Sequence, residues 1–278
     1  MRFQILGTAA AEAVPARFCE CPVCCKARQL KGKEIRKRAS YLIDEDILVD
    51  FGQDSFYHEM LYDIDYLKLK HLIITHPHSD HLMTSELLWR FDASYSKVSQ
   101  DITIYGGYHV FTKIMGDVCK ACGAVTPADL HFKQVIVYPG EWVKADDFEL
   151  LPMEANHMPG GTPMIYIVKR GNKKVLICND TGWMGNAAWQ TLAGQEVDLA
   201  LIDSTCGIAY PDVRNGHMGV NTVKEVAAEL KKIKAVKDSA RIIATHFSHN
   251  GGGNHSDYEA VYNPVGIEVA YDGMVIEL

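Results

Sequence analysis

Three histidines and one aspartate fall within six residues of this chain, in the run Thr75-His76-Pro77-His78-Ser79-Asp80-His81. Imidazole and carboxylate donors suit Zn, Mn or Fe, so such a density reads as a metal site. His76 and His78 are alternate residues of an extended segment and present their rings to the same side. Asp80 and His81 fall where the chain turns toward a helix and can face an adjacent position. Four donors cannot close two metal sites, so more must arrive from distant segments. Three candidates stand just after short apolar runs: His157 in Asn156-His157-Met158-Pro159-Gly160-Gly161, Asp180 in Asn179-Asp180-Thr181-Gly182, and His246 in Thr245-His246-Phe247-Ser248-His249. A strand end is a rigid place from which to offer a side chain to a shared cleft. Asp50 and Asp203 share that placement. They read either as carboxylates that orient the ligands or as strand-end turn formers.

A second set of donors is softer. Cys19-Glu20-Cys21-Pro22-Val23-Cys24 is a C-x-C-x-x-C cluster, with Cys25 beside it. Three thiolates call for a soft metal, and tetrahedral Zn needs a fourth ligand. His249, three residues beyond His246, is available for that. His217, in Asn215-Gly216-His217-Met218-Gly219, belongs to neither set. Cys119 and Cys122 read as a buried pair on one helix face rather than a redox motif. Trp183 reads as cleft lining or core. His58, His71, His109, His131 and His255 lack ligand context.

The elements that must position these groups follow from hydrophobic periodicity. Strands are expected at Phe3–Leu6, Ser40–Ile43, Ile47–Phe51, Leu72–Thr75, Ile102–Tyr105 and Val135–Tyr138. Further strands are expected at Glu149–Glu154, Pro163–Val168, Lys174–Cys178, Leu199–Asp203 and Ile242–Thr245. A helix is expected from near His81 through Trp89, another over Tyr108–Ala121, and an amphipathic one over Asn221–Ile233 with Val223, Val226, Ala227 and Leu230 on its apolar face. The tail from Gly266 reads as a hairpin turning at Asp272-Gly273. No linker or repeat divides the chain, so residues 1–278 are expected to form one domain, with sheets face to face and helices outside.

The 278 residues carry 28 Lys+Arg against 35 Asp+Glu, a net charge of −7, which argues against a dedicated nucleic-acid binder. Residues 26–38 are a basic exception, read either as a solvated helix and loop or as a patch for an anionic substrate. Hydrophobic residues make up 47%, enough for a sizeable core, yet the longest apolar run spans only Met164 to Val168, far short of a membrane span of about 20 residues. With no signal-peptide pattern at the start, a cytoplasmic location is expected, and thiols or metal ligands rather than disulfides.

The order His76-x-His78-x-Asp80-His81, His157, Asp180, His246 resembles the metallo-β-lactamase superfamily over essentially the whole chain. That resemblance implies an α/β (α+β) fold, a four-layer αββα sandwich, with a dinuclear site at one sheet edge. It implies that His76, His78 and His157 hold one metal and Asp80, His81 and His246 the other, with Asp180 bridging. Early Gly7-Thr8, the cysteine cluster, His217 ahead of Asn221-Thr222-Val223, the His246/His249 pair and a closing Asp272-Gly273-Met274 are similar to the PhnP-type phosphoribosyl cyclic phosphate phosphodiesterases of phosphonate degradation. This narrower resemblance implies a structural Zn on Cys19, Cys21, Cys24 and His249. It marks His217, as general acid, and Asp80 as catalytic residues. Cys25 and the run Gly251-Gly252-Gly253 depart from the pattern.

The activity implied is hydrolysis of a small, cyclic, phosphoribosyl-type phosphodiester by a hydroxide held between two divalent metals (Zn, Mn or Fe). The alternatives are a tRNA 3′-end endonuclease of the same superfamily, which usually carries a basic arm not seen here, and a non-catalytic metal-binding protein. No membrane or nucleic-acid partner is expected, and a homodimer is left open.

Overall fold

Along β10 (Lys173–Cys178) every residue from Val175 to Cys178 is buried, yet neighbours face opposite ways. Val175 and Ile177 join one apolar cluster, while Leu176 and Cys178 join another. A strand buried on both faces lies in a sheet covered on both sides. The computed structural model, which describes residues 1–91, 96–158 and 161–278, has two such sheets. Pro159 and Gly160 of the His157 motif lie outside the described residues.

The first sheet holds β1 (Arg2–Gly7), β2 (Ser40–Ile43), β3 (Ile47–Val49), β4 (His71–Ile73), β5 (Ile102–Gly106), β6 (Phe132–Ile136) and β14 (Val275–Glu277). The second holds β7 (Val143–Lys144), β8 (Phe148–Glu154), β9 (Met164–Arg170), β10, β11 (Val197–Asp203), β12 (Val236–Thr245) and β13 (Glu268–Val269). Their orders are β14-β1-β2-β3-β4-β5-β6 and β13-β12-β11-β10-β9-β8-β7. The helices are α1 (Pro22–Leu30), α2 (Ser55–Tyr62), α3 (Thr84–Leu87), α4 (Tyr108–Cys122), α5 (Asn186–Leu192), α6 (Val220–Lys232) and α7 (His255–Tyr262).

Between the sheets, Ile5, Tyr41, Val49 and Ile73 meet Tyr166, Val175, Leu201 and Ile243. Outside the first sheet, Leu72 and Ile104 pack on Val110, Ile114 and Val118 of α4. Outside the second, Leu176 and Ile202 pack on Val223, Val226 and Leu230 of α6 and on Tyr258 of α7. Each buried aliphatic side chain contributes about 1.5–3 kcal/mol. This is the αββα sandwich. Among the described residues no helix is long and apolar enough to cross a membrane.

Strand direction brings the candidate residues to one edge. β3 and β4 run parallel, as do β10, β11 and β12. β8 is antiparallel to β9, which is antiparallel to β10, so β8 points the same way as β10. Asp50, His76, His157, Asp180, Asp203 and His246 therefore all lie at C-terminal strand ends, where open α/β sheets place their ligands.

The helix expected from near His81 starts later. Phe51 N–H donates to His81 O and Met83 N–H to Phe51 O, so this stretch is tied to the chain beyond β3. Helical bonding begins only at Thr84, and residues Leu88–Arg90 tighten into a 3-10 turn. The C-terminal hairpin is also not formed. β13 lies parallel to β12 in the second sheet, whereas β14 pairs with β1 in the first. Asp272 instead accepts from the Thr8 hydroxyl and Lys37 N–H, anchoring the chain as it crosses between sheets.

Residues 36–38 are neither solvated nor a surface patch. Arg36 donates to Thr8 and to Ala270 O, Lys37 pairs with Asp272 at 2.9 Å, and Arg38 pairs with Asp54 at 3.0 Å. All three are buried, so their charges are spent internally. Cys119 and Cys122 are half-exposed, because α4 buries the face of Val110, Phe111, Ile114 and Val118.

Candidate metal centre

The run after β4 is not the extended segment expected: it bends at Thr75 and at Pro77–His78 and turns from Ser79, and these bends bring His76 and His78 together. His76 Nε2 lies 2.9 Å from His78 Nδ1, and His157 Nε2 lies 3.4 Å from that same atom. Metal–nitrogen bonds of about 2.0–2.1 Å give ligand–ligand edges of about 2.9 Å in an octahedron and about 3.4 Å in a tetrahedron. Both spacings are those of ligands around one cation, and the three donor atoms lie within 4.8 Å of one another. A second group, Asp80, His81, Asp180 and His246, brings its donor atoms within 4.8 Å of one another. Asp80 Oδ2 is 3.1 Å from His81 Nε2, and Asp180 Oδ2 is 3.1 Å from His246 Nε2. Asp180 touches both groups, with its Oδ1 at 3.8 Å from His157 and its Oδ2 against His81 Nε2.

The donors fit divalent cations. His81 Nε2, His246 Nε2 and Asp180 Oδ2 are buried and close together, near enough for ion pairs, yet not aligned for hydrogen bonds. Convergent buried polar atoms without hydrogen bonds are costly unless a cation satisfies them.

Groups behind the ligands set their tautomers. Asp50, fully buried, accepts from Thr75 N–H at 2.8 Å and lies 2.7 Å from His81 Nδ1. Thr75 Oγ1 donates to Asp50 and lies 3.1 Å from His76 Nδ1. Thr205 Oγ1 sits 2.8 Å from His246 Nδ1 and 2.9 Å from Asp203 Oδ2, so it accepts from the imidazole while donating to the carboxylate. His157 Nδ1 lies 3.2 Å from Gly216 O. In each case Nδ1–H is engaged and Nε2 is left for a metal. Asp50 and Asp203 are therefore more than turn formers. Asp203 also accepts from the N–H groups of Asp180, Thr205 and Met218.

His217 Nδ1 is 3.1 Å from Asp203 Oδ2 and 3.6 Å from Asp180 Oδ1. Its ring lies beside His157 and parallel to His246, with centroids at 4.9 and 6.0 Å. Among the described residues no protein group hydrogen-bonds to its Nε2. The side chain is partly exposed, at the mouth of the site.

Charges are strongly perturbed here. Burial works against a charged His246, but Asp180 and Asp203 outweigh it and raise its pKa to about 10. Burial likewise opposes charge on His81, and Asp80, Asp180 and Asp50 overcome it and hold it well above the usual histidine range. Burial raises Asp180, yet His246 and His81 pull it well below the usual carboxylate range. His217 is raised, because Asp203 and Asp180 outweigh its burial. His76 is depressed by burial and by neighbouring His81.

The cysteine cluster meets His249 at the mouth of α1. Cys19 Sγ and Cys21 Sγ lie 3.6 and 3.5 Å from His249 Nδ1, and all four donor atoms lie within 4.8 Å. Tetrahedral Zn with Zn–S about 2.3 Å and Zn–N about 2.0–2.1 Å has an S···N edge of about 3.5 Å, so this set fits Zn. Cys21 caps α1 by accepting from Cys24 N–H. Its burial raises the thiol, but that N–H and His249 prevail and lower its pKa to about 6. Cys24 is instead buried, which pushes its thiol up to about 12.

Sequence reasoning missed Thr75, Thr205, Gly52 and the Gly216 carbonyl. A Cβ on Gly52 would stand 1.8 Å from Asp80 O, so only glycine lets the chain beyond β3 approach the ligand run. It also missed that Asp50, Asp180 and His246 have φ of 62°, 51° and 60°. Such left-handed positions are uncommon for residues other than glycine and cluster where a side chain must be re-aimed. Trp183 both packs on Trp189 and lines a cavity beside His157.

Fold and site together define the metal-dependent hydrolases built on this sandwich. The sequence family described as "Beta-lactamase superfamily domain" matches residues 46–247, and the chain belongs to it, with the metallo-β-lactamase fold. No curated protein matches the sequence. Among solved structures, the chain is similar to a diphosphatase from the PhnP family, with 19% identity, TM-score 0.75, and coverage of 100% of this chain and 97% of that one. It is similar to Zn(2+)-bound PqqB from Methylobacterium extorquens, with 16% identity, TM-score 0.74 and full coverage of both chains. It is also similar to the short form of human tRNase Z, with 19% identity, TM-score 0.65, and coverage of 100% and 99%. At these identities the likeness is one of fold.

Proposed function

We propose that this chain is a metal-dependent phosphodiesterase acting on a small diester of the cyclic, phosphoribosyl type, working as one domain in the cytoplasm, where its free cysteines stay reduced. The observation that carries the reading is His217, held through Nδ1 by buried Asp203 at the mouth of the metal centre, with no hydrogen bond to its Nε2 among the described residues. When bound by His76, His78, His157, Asp80, His81, His246 and the shared Asp180, two divalent cations would supply Lewis acidity toward the phosphoryl group and acidify a water. Asp203 favours the charged imidazole, so His217 enters the reaction carrying its proton. That proton passes from Nε2 to the oxygen of the departing alcohol. Asp80 supplies a carboxylate acceptor for the attacking water. Cys19, Cys21, Cys24 and His249 would hold a structural Zn, fixing the segment that runs directly from His249 back to His246.

The test is turnover of bis(p-nitrophenyl) phosphate and of a ribosyl cyclic phosphate, with and without chelator. His217→Ala should lower kcat by about 10²–10⁴-fold on the ribosyl substrate, whose alkoxide needs a proton, and much less on the nitrophenyl ester. Equal losses on both would remove His217 as the acid, and loss of bound metal would make it a ligand. Preferential cleavage of precursor tRNA would replace this reading with the endonuclease. Metal binding without turnover would leave a binding protein.

A further inference from the structure

Beside the metal centre lies a cavity of about 450 Å³ that the chemistry above does not use. His157 forms the wall it shares with the metal donors. Trp183 forms another wall, Ala187 and Ala188 lie at the start of α5, and Glu154 and Asn156 bring polar atoms from the end of β8. We propose that this cavity is the subsite for the departing alcohol and takes a neutral, hydroxyl-bearing ring such as a pentose, with Glu154 accepting from its hydroxyls.

Four observations lead there. The first is connection to the acid. His217 lies tilted beside His157, 4.9 Å between centroids, and the segment carrying His217 braces the cavity wall, since Trp183 N–H donates to Arg214 O at 2.7 Å. The cavity therefore adjoins the acid through His157, with room on this side for an alcohol that His217 protonates.

The second is rigidity. The Trp183 indole packs against the Arg214 guanidinium, 4.7 Å from its centroid, and against Trp189, with centroids 5.1 Å apart. Asn156 Nδ2 donates to Trp183 O at 2.9 Å. A wall fixed in advance loses little entropy on binding.

The third is charge. Glu154 is exposed and, among the described residues, has no ion pair or hydrogen bond through its carboxylate. Its charge suits the ring and hydroxyls of a phosphoribosyl-type substrate and not a phosphate carried on that ring, which must lie outside the cavity. A carboxylate is well matched to ring hydroxyls, because it only accepts.

The fourth is size. Small residues at the start of α5 leave room for a furanose, and the volume lies in the range of small-ligand sites, roughly 300–1,000 Å³.

This inference rests on the phosphodiesterase reading, so its test has an arm that does not need turnover. In the first arm, Glu154→Gln is compared with the parent protein on a ribose 2′,3′-cyclic phosphate and on bis(p-nitrophenyl) phosphate. The ratio of the two kcat/KM values should fall about tenfold against the ribosyl substrate, as expected for a lost hydrogen bond to a charged acceptor. An unchanged ratio would overturn the proposal. In the second arm, adenosine is titrated into metal-loaded protein while the Trp183 indole N–H is followed by NMR. A saturable shift that Ala187→Leu abolishes supports the subsite even if no diester is hydrolysed. No shift at tens of millimolar, or one that Ala187→Leu leaves intact, overturns it. Failure of every diester in the first arm with a positive second arm would remove the phosphodiesterase reading alone.

Discussion

Stripping the active-site metals should make the stability of this protein fall more steeply in alkali. In the metal-free protein His246 has a pKa of about 10, because Asp180 and Asp203 more than offset its burial. An unfolded histidine titrates near 6.5, about 3.5 units lower, and each unit corresponds to about 1.4 kcal/mol. A raised folded pKa stabilises the fold fully below about pH 6.5. That contribution is lost as pH climbs from about 6.5 to 10, because the folded form then holds a proton the unfolded form has released. The loss for His246 alone is at most about 5 kcal/mol, and His81, held well above its usual range by three carboxylates, adds in the same direction. A cation on Nε2 replaces the proton and removes this dependence. Filling the site at pH 8 should therefore expel at least two protons, from His246 and His81. The assay is calorimetry of Mn²⁺ binding to chelator-stripped protein in buffers of different ionisation enthalpy. Mn²⁺ is chosen because hard cations avoid the thiol cluster. Thermal melts from pH 6.5 to 10 should then decline more steeply for the stripped protein than for the loaded one. Release of less than one proton, or parallel melting curves, would refute the argument that these two histidines and Asp180 face a common cation.

Cys21→Ser should lose one Zn per chain and melt at a lower temperature, because Zn binding contributes folding free energy at a site with few apolar side chains; elemental analysis with calorimetry checks both, and unchanged values would leave the thiols without a metal role. Gly52→Ala should destabilise the fold by about 1–3 kcal/mol and lower active-site metal occupancy, since the new Cβ would drive Asp80 O away; denaturant midpoints and metal content measure this. His58 is buried, which depresses its pKa to about 3, so its neutral state costs stability below about pH 6.5, where the unfolded chain takes up the proton. His58→Phe should accordingly reduce by about 3 kcal/mol the stability lost between pH 7 and 4, read from denaturant melts at the two values.

Much of the arrangement is local and therefore legible along the chain. The spacing of His76, His78, Asp80 and His81 needs only a short run of bends and a turn within seven residues. His157, Asp180 and His246 announce themselves as polar residues closing apolar runs. The periodicity of Val223, Val226 and Leu230 marks α6 for the same reason: one face must be buried. What eluded local reading involves partners far apart in sequence. Thr84 rather than His81 begins α3, because Phe51 engages the intervening backbone. Lys37 looks like a surface cation until Asp272, 235 residues away, is placed against it.

The sequence by itself determined the donor types, their order and the mixed run of apolar strands and amphipathic helices that calls for sheets face to face with helices outside, since side-chain chemistry and periodicity travel with the chain. Only the tertiary structure decided which nitrogens face a common point and which turn to an acceptor. That choice depends on Asp50, Thr75, Thr205, Asp203 and Gly216 O, each engaging Nδ1 of a ring or of its neighbour. It depends also on left-handed backbone at Asp50, Asp180 and His246, which aims side chains across the sheet edge. A hydrogen bond is fixed by a few tenths of an ångström and an angle. Those are set when two sheets close on each other, and no spacing along a single strand encodes them.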